Sequence, residues 1–109
     1  MSRSTKPRWD KMRTDETRRV EQIIRKIFPD TDAYRYNSAS IRVRIIDDRF
    51  EGKSDEERED MIQRILGKLS QRTRDDIVNL LTLTRDETTG FNRRTLLNEE
   101  FEDPSPSKL

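Results

Sequence analysis

Apolar residues recur along the chain in patterns that change from segment to segment. Val20, Ile23, Ile24 and Ile27 fall at i, i+3, i+4 and i+7, a spacing that predicts a helix with one buried stripe. Thr14 is the expected N-cap, and Asp15 and Glu16 suit the positive end of the helix dipole. Pro29 is expected to end the helix, with Arg18, Arg19, Arg25 and Lys26 off the stripe and solvated. Farther on the period changes to two. Ile41, Val43 and Ile45 alternate with Arg42 and Arg44, which predicts a strand over residues 40–47, preceded by another over 32–36 across a turn at Asn37 and Ser38. One face of this hairpin is expected under helices; the other, bearing Arg42 and Arg44, is expected to stay wet.

Residues 54–69 return to helical spacing. Ser54-Asp55-Glu56-Glu57 has the form of a capping box, and Met61, Ile62, Ile65, Leu66 and Leu69 make the stripe. Residues 77–84, Ile-Val-Asn-Leu-Leu-Thr-Leu-Thr, are ambiguous between helix and strand on their own. A helical crossover from the hairpin favours a strand, because it returns the chain parallel to the strand it left. Phe91, Leu96, Leu97 and Phe101 suggest a short helix over 93–101, and Asp103-Pro104-Ser105-Pro106-Ser107 reads as a disordered tail.

The distribution of apolar residues sets the domain boundaries. Of 32 in the 109-residue chain, 24 lie between Val20 and Leu83. Residues 14–87 are therefore expected to form one small domain. Residues 1–13, with Arg3, Lys6, Arg8, Lys11, Arg13 and Trp9, read as a flexible basic arm. Either the arm touches phosphates and Trp9 stacks on a base, or Trp9 folds back on the domain. Residues 88–109 read as a polar C-terminal tail. No apolar run has a membrane helix's length, and residues 1–13 lack the apolar region of a secretory signal, so a cytoplasmic protein without membrane contact is expected.

Composition narrows the chemistry. The chain has no His and no Cys, which removes imidazole bases, thiol nucleophiles and the usual soft metal ligands. The cluster Asp47, Asp48 and Glu51 lacks a catalytic partner and does not fit the spacing of a Ca²⁺ loop. No enzyme, no metal and no cofactor are expected. The formal net charge of +1 conceals a gradient: residues 1–44 carry 12 basic and 6 acidic side chains, and residues 45–76 carry 7 and 10.

The loop into the second helix carries a family pattern. Phe50, Gly52, Ser54 and Arg58, set between a strand and a strand ending near Leu83-Thr84, resemble the BolA family's Phe-x-Gly-x-Ser segment and Arg-His-Arg helix start. Glu59 and Asp60 stand where the family has His-Arg. The resemblance covers residues 14–87. It implies an α+β, class II KH-like fold in the order α-β-β-α-β, with a three-stranded mixed sheet covered by helices on one face. It also implies a stress-linked regulator, in some members binding DNA and acting in transcriptional regulation. Other members pair with a glutaredoxin around an iron–sulfur cluster, using the helix-start His. With Glu59 at that position the cluster role does not carry over. The GXXG loop of RNA-clamping KH domains is also missing.

Two functions follow as expectations. The first is nucleic-acid binding, DNA or RNA, through Arg42 and Arg44 on the open sheet face, with Lys53, Ser54 and Arg58 at the helix start, where exposed amides suit an anion. Against it stand Asp47, Asp48, Asp55, Glu56 and Glu57 around the same corner. The alternative is a protein-interaction module, for example for a glutaredoxin-type partner without cluster ligation. There Phe50 either contacts the partner or plugs the core beneath the loop.

Overall fold

Helix α1 (Asp15–Arg25) begins where Thr14 accepts a hydrogen bond from the Thr17 amide, and Thr17 reciprocates to the Thr14 amide. In the computed structural model, which describes residues 8–89 and Phe101, α1 packs Val20 and Ile24 into the core. The helix stops before Ile27, which is 47% exposed. Phe28 takes the buried place instead and stacks on Phe50 at 5.3 Å between ring centroids.

Strands β1 (Thr31–Asn37) and β2 (Ser40–Ile46) pair antiparallel. The chain then turns through a 3₁₀ segment (Asp48–Phe50) and Gly52, whose φ of 76° is a conformation glycine adopts without steric cost. Helix α2 (Asp55–Leu66) follows, closed at its start by the reciprocal Ser54–Glu57 box. A short helix α3 (Gln71–Asp76), capped by Ser70, leads into β3 (Ile77–Leu83). Residues 77–83 are extended and lie parallel to β2, as the crossover argument requires. The sheet is three-stranded and mixed, in the order β1-β2-β3, and the fold is α+β. Helices α1 and α2 cover one sheet face. Their core joins Val20, Ile24, Ala33, Ile41, Val43, Ile45, Phe50, Ile62, Ile65 and Leu66.

The opposite face corrects an expectation. It is not left wet around Arg44. Residues 8–12 form a 3₁₀ turn that lays Trp9 on Tyr34, and Phe101 packs edge-on to both rings. The Tyr34 hydroxyl donates to the Phe101 carbonyl at 2.7 Å. From Arg8 onward the expected arm is thus part of the domain, with Trp9 folded back. Residues 1–7, the expected helix over 93–101 apart from Phe101, and the tail lie outside the described residues. No described helix is long and apolar enough to cross a membrane.

Candidate functional site

The five residues expected to contact nucleic acid do not form one surface. Arg44 is 6% exposed. Its guanidinium pairs with Asp32 at 2.8 Å and lies over the rings of Phe101 and Trp9. Arg42 is half-buried, over Tyr36 at 3.6 Å and donating to the Tyr34 hydroxyl. The alternation in β2 put both arginines on the face away from the helices correctly. What it could not indicate is that segments distant in sequence cover that face.

Lys53 and Ser54 are exposed at the start of α2. The anion corner there is filled from within. The Ser54 amide donates to Glu57 at 2.8 Å, which holds that carboxyl below its usual range. Arg58 is 7% exposed and faces inward. It donates to the Lys53 carbonyl, the Thr82 carbonyl and both oxygens of Glu87, at 2.9 to 3.1 Å. Those bonds lower the Glu87 carboxyl and raise the guanidinium further. Phe50 is fully buried in the core, so it serves as the plug and not as a contact. The acidic loop is similarly occupied. Asp47 pairs with Arg49, and Asp48 accepts from the Arg85 amide at 2.9 Å. Among the described residues no group of three or more carboxylates could hold a metal ion.

A different feature emerges at the sheet edges, which the fold treats unequally. Along β1, side chains of α1 satisfy the outward backbone. Glu21 accepts from the Ala33 amide at 2.8 Å, and Arg25 donates to the Thr31 carbonyl at 2.9 Å. Glu21 is itself buried and paired with Arg13 at 2.7 Å. These contacts occupy two of the outward groups in the first half of β1, which obstructs the addition of another strand there.

β3 is the other edge, and among the described residues no strand pairs with its outer side. The Asp47 amide donates to the Leu83 carbonyl, so Leu83 and, by alternation, Leu81 and Asn79 turn their peptide groups toward β2. Val78, Leu80 and Thr82 therefore turn theirs outward. Among the described residues the Thr82 carbonyl is met there by Arg58, and no side chain caps Val78 or Leu80 as Glu21 and Arg25 cap β1. The same strand presents Val78 at 61% exposure, with Leu80 and Leu81 half-buried. A groove of about 570 Å³ runs along this edge under the first turns of α2, lined by Asp55, Arg58, Glu59, residues 78–83 and Glu87. Glu59, where the family resemblance places a histidine, stands on its rim.

Comparison of the chain with protein-family models, with curated proteins and with solved structures finds no match. The sequence carries a signal for this edge. β3 is an uncharged run, Ile-Val-Asn-Leu-Leu-Thr-Leu, without the lysine or proline that commonly blunts an edge.

Proposed function

We propose that this chain is a non-catalytic protein-interaction module of BolA-like type, whose docking site is the β3 edge together with the groove beneath α2. The observation that carries this reading is the inequality of the two edges. On β1, α1 side chains take two outward backbone groups, while among the described residues no side chain meets the outward groups of Val78 and Leu80 on β3, beside the apolar Val78, Leu80 and Leu81. Exposed apolar surface next to unpaired backbone is the usual preparation for a bound segment. The regulatory role implied by the family resemblance, and the cytoplasmic setting expected from the chain's lack of a secretory signal pattern, are part of the same proposal.

The nucleic-acid reading has less support, because Arg44 and Arg58 are spent on internal partners and the start of α2 caps itself. Neither His nor Cys occurs in the chain, so a glutaredoxin-type partner would have to be held without cluster ligation from this side.

The test uses the full chain immobilised beside its Val78→Lys variant. Val78 is exposed, so lysine there leaves the core intact while blunting the edge. The expected result is a partner that is retained by the unmodified chain, lost with Val78→Lys, and reconstituted one-to-one from purified components. Salt-sensitive binding of labelled DNA or RNA oligonucleotides, weakened by Arg42→Ala and indifferent to Val78→Lys, overturns the reading.

A further inference from the structure

Resting on that reading, we infer that the occupant of the β3 edge is an extended, basic segment of a partner protein, added to the sheet as a fourth strand. Three observations carry the inference.

The first is the backbone. Val78 and Leu80 offer outward peptide groups, and Thr82 its amide, at alternate positions of a seven-residue strand; the Thr82 carbonyl is already taken by Arg58. A strand laid beside β3 can pair with them directly, which gives affinity without any demand on side-chain identity.

The second is the charge of the groove. Asp55 and Glu59 of α2 and Glu87 of the turn after β3 line it, and among the described lining residues the single cation, Arg58, is bound to Glu87 in bidentate fashion. The residual field is negative. An incoming strand points alternate side chains at α2. Lysine or arginine at those positions reaches Asp55 and Glu59, which are exposed and so remain hydrated until docking.

The third concerns a second copy of this chain, the obvious competitor for an open edge. A twofold pairing of β3 with itself presents the same patch from both sides. Each copy then brings the same net-acidic lining, Asp55, Glu59 and the Arg58–Glu87 pair, to the shared edge, with like charge on both sides. The rim that attracts a basic strand therefore disfavours self-association through this edge.

The experiment titrates the isotopically labelled full chain with an acetylated, amidated heptapeptide alternating lysine and valine. A counterpart has glutamate for every lysine. A third peptide is N-methylated on alternate residues, so that its edge cannot donate. The expected amide shifts are confined to residues 78–83 and the start of α2. Affinity is expected to fall about fivefold between roughly 0.02 and 0.2 M salt, since Asp55 and Glu59 are exposed. The glutamate peptide and the N-methylated peptide should each bind at least about tenfold more weakly, and Val78→Lys should abolish the shifts.

Equal binding of the glutamate peptide overturns the basic class while the docking edge stands. Equal binding of the N-methylated peptide overturns strand addition. A dimer of the free chain that Val78→Lys dissociates, seen by sedimentation, assigns the edge to a second copy and overturns the inference. Absence of any shift with all three peptides overturns it too. In those last two cases the interaction-module reading is still judged separately, by partner reconstitution.

Discussion

Arg58 ends in a planar fork of donors, and its four hydrogen bonds reach three separate pieces of chain. The bond to the Lys53 carbonyl holds the turn before α2. The bond to Thr82 holds the β3 edge, and the bidentate pair to Glu87 holds the turn after it. At the sequence level an arginine one turn into a helix beside a lysine reads as a phosphate ligand. The residue type was informative, but the partner was not visible, because Glu87 lies 29 positions away. Replacing Arg58 by alanine leaves the Thr82 and Lys53 carbonyls without this donor. Glu87 is 42% exposed on its side chain and can rehydrate, which limits the loss. Arg58→Ala is expected to destabilise the fold by about 1–3 kcal/mol, and Arg58→Lys by less, as read from urea unfolding midpoints. An alanine variant with an unchanged midpoint rules out the clamp.

Among the elements, those whose signal is local were legible in the chain. The Thr14 cap, the Ser54–Glu57 box and the period-two run of β2 depend on residues within a few positions of one another. β3 was recoverable only through the crossover rule, since Ile77 to Leu83 has no clean period. Helix α3 carries no apolar stripe, so the Ser70 cap on Thr73 is the one local signal that marks it in the sequence. The sealing of β1 was not legible at all. Glu21 lies between stripe positions of α1 and looks like a solvated acid, yet it is buried, with Arg13 on one side and the Ala33 amide on the other. Removing its carboxylate uncaps one edge of the sheet and leaves a buried donor unpaired. Glu21→Ala is expected to cost about 2–4 kcal/mol, with Glu21→Gln less severe because an amide oxygen can still accept. The specific readout is hydrogen exchange at Ala33, whose protection should fall by more than that of neighbouring β2 amides. If protection falls uniformly, Glu21 supports the fold generally and does not cap the edge.

At the scale of the whole molecule, charge is used inwardly. Several arginines tie elements together: Arg35 joins Glu16 of α1 to Asp76 of α3, Arg44 joins β2 to Asp32, and Arg13 joins the Trp9 turn to Glu21. This arrangement fixes the pH response. The Glu16 carboxyl is held below its ordinary value near 4.5, chiefly by its hydrogen bond from Arg35. Glu87 is lowered by Arg58, Asp47 by Arg49 and Glu57 by the Ser54 amide. Each of these groups binds a proton more weakly in the folded chain than in the unfolded one. Their contribution is therefore complete above the unfolded values and is lost as pH falls through the folded ones. Nothing comparable operates near neutrality, because the chain has no His and no Cys. Stability should be flat from about pH 6 to 8 and should decline below about pH 4.5. Trp9 is the sole tryptophan and is buried against Tyr34 and Phe101, so its emission reports on the covered sheet face directly. Urea midpoints followed by Trp9 emission and by circular dichroism should agree across this range and fall together in acid. A midpoint that changes between about pH 6 and 8, or one that is maintained at pH 3, contradicts the ion-pair account. Separation of the two probes in acid would instead mean that the Trp9 turn leaves the sheet before the helices do, and that the second face is covered by a unit less stable than the core beneath it.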